Sequence, residues 1–293
     1  MSSKILVTGA PGNVGTELVR LLAERGADVR VLAHHIERSG EVSHPGVEII
    51  EGDLSDGATM SAALDGVDTF YLSSAARADL AFVQNAAIDT AAASGVRRIV
   101  KLSAYGVGRG AAVPFFTWHT EVEDKLRASG KPWTMLRPHL YMQTVLQNLP
   151  TIQAQGAIFN SGATSQIPMI DARDAAAAAA AVLLSDGHDG AVYELSGPAL
   201  LPWAEVASTI GSVLGRQVTY MPVPAEGMAV ALTGAGLPEW LVRSLVGLHA
   251  FYNADRAPVA DTVAVLSGKA PRSLAEFVRN YAGAFSEPAG SRA

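Results

Sequence analysis

A glycine-rich turn near the N-terminus constrains the fold more than any other feature of this chain. The aliphatic run at residues 5–7 and Thr8 are followed by three glycines in the pattern G-x-x-G-x-x-G, at Gly9, Gly12 and Gly15. A helical pattern of apolar residues begins inside this turn. A strand that turns on glycine directly into a helix is the first half of a βαβ unit, the building block of a parallel sheet.

The glycines of this turn suit the binding of a dinucleotide. Gly9 permits the tight turn, Gly12 lets the backbone approach a pyrophosphate, and Gly15 lets the helix pack close to the strand. The N-terminus of the helix offers free N–H groups and the positive end of its dipole to the phosphates. The alternative is a tight turn without a ligand. We predict a cofactor site made of Gly9, Ala10, Gly12, Asn13, Val14 and Gly15.

The alternation of strands and helices continues through residue 138. Short β-branched runs predict strands at 5–7, 29–32, 47–50, 69–72, 98–102 and 133–136. Helical patterns lie between them at 13–25, 55–64, 79–94 and 116–129. This rhythm predicts an α/β fold with a doubly wound parallel sheet, a Rossmann fold.

After residue 138 the regular alternation is interrupted by proline, glycine and uncharged polar residues. Strands are predicted at 167–170, 191–195 and 218–221, and helices at 171–184, 202–214, 225–233, 239–253 and 273–284. We therefore predict an NAD(P)-binding domain at 1–138, an interleaved, smaller α/β substrate lobe at 139–286 and a frayed tail at 287–293.

Composition excludes several classes of protein. The 293 residues are 49% hydrophobic and 17% charged, with a net charge of −6, which suits a globular core and offers no basic stripe for nucleic acid. The absence of cysteine excludes disulfides and thiolate chemistry, and no spacing of histidines and acids predicts a metal site. No uncharged stretch is apolar enough to span a bilayer, and no apolar run near the start resembles a signal peptide. We expect a cytoplasmic protein, with a homodimer left open.

The end of the second predicted strand bears on the choice of dinucleotide. An acid at this place would bind the ribose hydroxyls of NAD, but the chain has His34 here and Arg38 shortly after. Cationic side chains suit a 2′-phosphate, so NADP(H) is preferred. Glu37 keeps NAD(H) open.

Further cofactor contacts are predicted where the other strands end. Asp53, with Leu54, follows the third strand and is either an acceptor for the adenine amine or the N-cap of the next helix. Small hydroxyl residues follow the fourth and fifth strands and suit contacts to ribose and nicotinamide. With Pro138, which lies just after the sixth predicted strand, the predicted set is Ser73, Ser74, Ser103 and Pro138.

The usual dyad of short-chain dehydrogenases, Tyr-x-x-x-Lys, is absent, because none of the seven tyrosines is followed by lysine four residues later. His119 and Glu123 instead lie four residues apart on one predicted helix face, and a histidine paired with a carboxylate can supply a proton near neutral pH. His119 is therefore the candidate acid, although a surface pair or a ribose contact would give the same spacing. The candidates for substrate contact are Tyr105, His139, Tyr141, Gln143 and Trp203.

Several passages together resemble the NmrA-like family, an atypical branch of the extended short-chain dehydrogenases that includes NAD(P)H-dependent quinone oxidoreductases and azoreductase-like proteins. They are the glycine turn, Gly52-Asp53-Leu54, the stretch 129–138 that ends in Leu-Arg-Pro, Ile170-Asp-Ala-Arg-Asp174, Tyr193-Glu-Leu-Ser-Gly-Pro198 and the segment 268–277. The resemblance covers nearly the whole chain. It implies NADP(H) binding in the N-terminal part and a substrate cleft between the lobes. Typical members carry arginine where this chain has His34.

The resemblance implies a reductase that transfers hydride from nicotinamide to a quinone-like, azo or conjugated carbonyl compound, and the uncharged stretch 140–170 favours a small hydrophobic or aromatic substrate. Two alternatives remain open at this stage. One is an NADP-binding redox sensor without chemistry, and the other is a tailoring reductase that acts on a single specialised metabolite.

Overall fold

The computed structural model describes residues 3–34, 42–110, 112–255 and 257–286. Its strands are β1 (Lys4–Thr8), β2 (Asp28–Ala33), β3 (Val47–Glu51), β4 (Thr69–Leu72), β5 (Arg98–Leu102), β6 (Trp133–Pro138), β7 (Ala157–Asn160), β8 (Gln166–Ile167), β9 (Ala191–Leu195), β10 (Leu201–Pro202) and β11 (Thr219–Pro222).

The helices are α1 (Asn13–Glu24), α2 (Gly57–Leu64), α3 (Leu80–Ala93), α4 (Pro114–Ala128), α5 (Leu149–Gln155), α6 (Ala172–Leu184), α7 (Trp203–Leu214), α8 (Ala225–Gly234), α9 (Glu239–Ala254), α10 (Thr262–Ser267), α11 (Leu274–Asn280) and α12 (Ala282–Ser286). A 3₁₀ helix at Met142–Asn148 precedes α5.

The large sheet has the strand order β3-β2-β1-β4-β5-β6-β9, and all of its pairs are parallel. The direction of winding reverses between β1 and β4, because β1 lies between β2 and β4. In such sheets a ligand binds in the crevice outside the carboxyl ends of the strands at this reversal. The predicted doubly wound parallel sheet is confirmed, and the glycine turn follows β1 at this point.

The strand β9 joins the sheet beside β6, although it lies more than 50 residues later in the chain. The alanine-rich helix α6 packs against α1, and most of its alanines are fully buried. Alanine suits this place, since it forms helix readily and its small side chain lets two helices approach closely. Residues 172–195 therefore complete the layer begun by the first 138 residues. The division into 1–138 and 139–286 remains a prediction.

The rest of the chain, together with part of α4, forms a second core. In it β7 pairs in parallel with β11, and β8 pairs with β10 in an antiparallel ladder. Aromatic and aliphatic residues of α4, α7, α9 and α11 pack together there. Within the described residues, no helix is long and apolar enough to cross a membrane.

The second lobe contains the errors of the sequence-based assignment. The predicted strand at 167–170 is shorter, since only Gln166–Ile167 form a ladder and Ile170 makes a single bridge to Tyr141. The strand β7 and the helices α5 and α10 are not predicted, because short elements carry too few residues to show a period. The predicted tail at 287–293 lies outside the described residues.

Candidate active site

A groove of about 660 Å³ lies along the glycine turn and the carboxyl ends of β1 to β4. Gly12 is the N-cap of α1, and because glycine has no side chain, no side chain of the N-cap residue covers the start of this helix. The first N–H groups of a helix need partners, and here they face the groove. The groove is lined by Gly9, Gly12, Asn13, Val14, Gly15, His34, Asp53, Leu54, Ser73 and Ser74 among others.

The glycines of the turn are required by sterics. Gly9 has a φ of +68°, and a Cβ on it would lie 3.0 Å from the backbone of Ser73. A Cβ on Gly15 would lie only 2.3 Å from the carbonyl oxygen of Gly9. The Thr8 hydroxyl fixes the other wall, since it donates to the carbonyl of Ser73 at 2.8 Å. The turn thus leaves a shallow backbone cradle that suits a pyrophosphate.

The far end of the groove holds charged groups near the place expected for the adenosine ribose. His34 is exposed, and its Nε2 lies 3.9 Å from an oxygen of Asp53. Asp53 accepts from the backbone and hydroxyl of Ser55, and these hydrogen bonds lower its pKa. Arg77 also lines the groove and pairs with Asp79.

Asp53 is not the N-cap of α2, because the N-cap is Asp56, whose side chain accepts from the backbone N–H of Ala58 in the first turn. Its place in the groove leaves the predicted contact to adenine open. Arg38 lies outside the described residues.

A second cavity, of about 520 Å³, continues from the groove between the two cores. The two spaces share Ser73, Ser74, Ala76, Leu102 and Tyr141 as lining residues. Its remaining walls are mostly aromatic and aliphatic and come from both lobes. They include Phe115, Phe116, Leu140, Phe159, Met228, Leu232, Leu241, Leu245 and Leu248. The size and the apolar lining are typical of a site for a small organic molecule.

Three of the predicted substrate contacts line this cavity with a buried polar atom that has no hydrogen-bond partner among the described residues. They are Nε2 of His139, the hydroxyl of Tyr141 and Nε1 of Trp203. Buried polar atoms are normally satisfied, so an orphaned set around one cavity indicates groups that a ligand or water would pair. Burial lowers the pKa of His139 to about 3, so its ring is neutral.

Tyr105 lies in the same wall, but its hydroxyl is already engaged. It donates to Asp255 at 2.8 Å, and its ring stacks on His139 at 3.6 Å between centroids. Burial and this hydrogen bond raise its pKa above the usual value. Tyr105 therefore presents an apolar face to the cavity and is poorly suited to donate a proton.

Gln143 does not reach the cavity. Its amide donates to Asp171 at 3.1 Å and accepts from the backbone of Ala172, so it holds the start of α6. Asp171 is the N-cap of that helix and pairs with Arg173. Its carboxylate is satisfied by these contacts and does not face the site.

His119 lines the cavity, but the prediction that it pairs with Glu123 is wrong. Its Nδ1 lies 3.0 Å from the ammonium of Lys101, a fully buried lysine on β5. Glu123 instead accepts from Ser103 at 2.6 Å and forms ion pairs with Arg137 and Arg127. The spacing of four residues places His119 and Glu123 on one side of α4. Glu123 nevertheless pairs with two arginines and not with His119.

Two other predicted cofactor residues, Ser103 and Pro138, line the apolar cavity and not the groove, and their contact to a cofactor stays a prediction. Ala10 is fully buried beneath the turn, so only its backbone can face a ligand. Sequence reasoning did not select Lys101, Gln84 or Arg77. The one available signal for Lys101 was a lysine between Val100 and Leu102 in a strand of the central sheet, since lysine is almost never fully buried unless it is paired.

The comparisons with known proteins agree with this geometry. The family model described as "NmrA-like family" matches residues 1–278. The chain belongs to the NmrA-like family. The match spans both cores, so it covers the glycine turn, the groove and the cavity.

Two curated relatives match this NmrA-like protein over nearly its whole length. An NAD(P)H azoreductase from Xenophilus azovorans is 33% identical over 282 residues, which are 96% of this chain and 99% of the relative. A (4-alkanoyl-5-oxo-2,5-dihydrofuran-3-yl)methyl phosphate reductase from Streptomyces griseus is 34% identical with the same coverage of both chains.

Solved structures show the same architecture. The NADPH-dependent quinone oxidoreductase from Escherichia coli, complexed with NADPH, superimposes with a TM-score of 0.85 at 28% identity. The match covers 94% of this NmrA-like chain and 99% of that one.

Proposed function

We propose that this NmrA-like protein is an NADPH-dependent reductase that transfers a hydride to a small aromatic or conjugated carbonyl compound, a quinone or an azo compound included. The observation that carries the proposal is the junction of the glycine-turn groove with the apolar cavity at Ser73, Ser74 and Tyr141. A dinucleotide in the groove and an organic molecule in the cavity would meet there. The azoreductase and the quinone oxidoreductase among its relatives support this choice.

The residues of the groove fit the dinucleotide. The cradle of Gly9, Gly12 and Gly15 would hold the pyrophosphate, since a side chain there would fill it or collide with the backbone. His34 and Arg77 at the far end favour the extra phosphate of NADP(H), and His34 is the residue described directly after β2, where an acid would suit NAD(H). When bound, the reduced dinucleotide supplies the hydride.

The cavity orients the acceptor and excludes water. The indole N–H of Trp203 and the hydroxyl of Tyr141 can donate to carbonyl or quinone oxygens, while Phe115 and Phe116 contact a flat ring. His119, in the same wall, can protonate the atom that becomes anionic on reduction. An apolar cavity with few polar groups fits a flat, weakly polar acceptor.

The test combines binding with turnover. The purified protein is titrated with NADPH and NADH, and the oxidation of NADPH is followed with quinones, azo compounds and unsaturated lactones. We expect tighter binding of NADPH and turnover with at least one acceptor class. Tight binding without turnover on any acceptor would contradict the reductase and favour a cofactor sensor. The cytoplasmic location and a homodimer remain predictions.

A further inference from the structure

The most unusual group in the described structure is Lys101, whose ammonium is buried in the central sheet. The residue is 0% exposed, and its Nζ contacts Oε1 of Gln84 at 2.9 Å, the carbonyl of Leu102 at 3.0 Å and Nδ1 of His119 at 3.0 Å. Among the described residues, no carboxylate lies within ion-pair distance of it. A buried lysine without a counter-ion is costly, and that cost indicates a role in the site.

The three partners of Lys101 accommodate both of its protonation states. As an ammonium it donates to Gln84, to Leu102 and to Nδ1 of His119, so the ring must carry its proton on Nε2. As a neutral amine it still donates to the two oxygens, while its lone pair accepts from a proton on Nδ1. A transfer of one proton between the two residues therefore breaks none of the three hydrogen bonds.

Nδ1 of His119 is engaged with Lys101, which leaves Nε2 as the ring nitrogen available to a ligand in the cavity. The ring lines the cavity, and among the described residues nothing forms a hydrogen bond to its Nε2. The other end of the network reaches the groove, because Gln84 donates to the hydroxyl of Ser74 at 2.8 Å and Ser74 lines both spaces. The pair therefore lies between the cofactor groove and the substrate.

We propose that Lys101 and His119 share one proton, with Lys101 as the positioning residue that holds the Nε2–H tautomer of His119 toward the substrate and resupplies its proton. This rests on the proposed reductase function. The residue that touches the substrate is His119.

The step balances as follows in atoms and charge. The substrate atom made anionic by hydride forms a bond to the Nε2 proton, and the pair of electrons of that N–H bond stays in the ring. At the same time Nδ1 forms a bond to a proton from Lys101, whose electron pair stays on Nζ. When the cavity opens, Nε2 takes a proton from water, which leaves as hydroxide, and the Nδ1 proton returns to the Nζ lone pair of Lys101, so the ammonium and the Nε2–H tautomer are both restored.

The charges around the pair support this exchange near neutral pH. Burial lowers the pKa of the Lys101 ammonium to about 7, and the charge of Glu123 opposes the shift. Burial and the charge of Lys101 lower the pKa of His119, so its ring is neutral. Glu123 is itself matched by Arg137 and Arg127.

The first test follows the nitrogen-15 resonances of the His119 ring in the protein without cofactor. We expect the Nε2–H tautomer at pH 6 and a shift toward Nδ1–H as the pH rises through about 7, as Lys101 loses its proton. Lys101→Met should remove this switch. Lys131→Met is the matched control, because Lys131 also donates to two backbone carbonyls but lies away from the cavity.

A wild-type His119 ring that shows one tautomer from pH 6 to pH 9 would overturn the proposal. This measurement uses the wild-type protein, so it does not depend on whether Lys101→Met folds.

The second test is turnover. We expect Lys101→Met to lower kcat about 100-fold with the KM for NADPH within twofold of wild type. The wild-type rate should fall above pH 7, whereas the residual rate of the variant should not.

The two tests distinguish a failure of the shared-proton proposal from a failure of the proposed reductase function. A tautomer switch in a protein that reduces no acceptor would refute the reductase but leave the shared proton standing. Turnover that Lys101→Met leaves unchanged would refute the proton supply in an active reductase.

Discussion

At the scale of single residues, the buried side chains of Glu123 and Lys101 have different surroundings and therefore different roles. Glu123 is fully buried and accepts from Ser103, Arg137 and Arg127, so its charge is matched and its role is structural. Lys101 lies nearby, has no matching carboxylate in the part of the chain that the structure describes, and contacts a ring that lines the cavity. A satisfied charge stabilises the fold, whereas an unmatched one indicates chemistry.

Replacement of Glu123 by glutamine is expected to destabilise the protein by about 3 kcal/mol at pH 7, because it leaves two arginines without a buried partner. Burial raises the pKa of this carboxyl, but hydrogen bonds from Arg137 and Ser103 outweigh it and hold the pKa below the usual value. The stabilisation is therefore present above the unfolded pKa, about 4.5, and is lost as the pH falls below it.

Urea unfolding at pH 7 and pH 4 tests this. The difference between wild type and Glu123→Gln should shrink at the lower pH, while Glu121→Gln, an exposed neighbour on α4, should match wild type at both. A difference that is equally large at both values of pH would show that the ion pairs are not its source.

Replacement of His119 by alanine is expected to lower kcat by 100-fold or more, since a positioned proton donor contributes roughly 10²–10⁴. The affinity for NADPH should stay within about threefold, because His119 lines the cavity and not the groove. Steady-state kinetics and a fluorescence titration give both values. His188→Ala, which removes a histidine bonded to Tyr193 and Ser185, is the control. Unchanged turnover in His119→Ala would exclude it as the acid.

At the scale of elements, the carboxyl ends of β1 and β4 and the start of α1 form the groove. Gly12 is extended and exposed, and a Cβ there would lie 3.2 Å from the carbonyl of Gly9, a tight but tolerable contact. A larger side chain at this position points into the cradle and blocks the approach of a pyrophosphate. The consequence is a loss of binding with the fold preserved.

We therefore expect Gly12→Val to weaken NADPH binding at least 100-fold while the melting temperature changes by only a few degrees. Gly57→Val on α2 is the matched control, because a Cβ there meets open space. Isothermal titration and thermal unfolding measure the two effects. Wild-type affinity in Gly12→Val would refute the assignment of the groove.

At the scale of the whole molecule, the chain crosses between the two cores. Residues 139–171 lie outside the large sheet and help to line the cavity. The helix α6 and the strand β9 then pack on and join that sheet, and the chain after β9 continues into the second core. The core beside α1 contains alanines of α6 and Leu195 of β9 together with residues of β1 and β2. The cavity therefore lies between two parts of the molecule, neither of which is a single continuous stretch of the chain.

We predict that a fragment of residues 1–138 does not fold cooperatively. It lacks the α6 helix that covers α1 and leaves β6 as an unpaired edge strand. A fragment of residues 1–200 retains both elements and should show a cooperative thermal transition. Near-ultraviolet circular dichroism and dye binding distinguish the two fragments, and a sharp transition in the shorter one would contradict the prediction and support an independent first domain.

Much of the fold could be predicted from local patterns. The parallel sheet, its helices and the groove follow from the alternation of apolar runs and from Gly9, Gly12 and Gly15, whose roles depend on neighbours close in the chain. The orphaned Trp203 and Tyr141 were selected from residue type alone, and both line the cavity.

The tertiary structure alone decided the partners of the charged groups. The sequence places His119 four residues from Glu123, but its contact is Lys101, on a strand 18 residues away, with Gln84 of α3 behind it. Glu123 forms an ion pair with Arg137 of β6. Helical spacing determines which residues share a face, whereas strand order determines which residues of other elements meet that face, and only the folded chain contains that order.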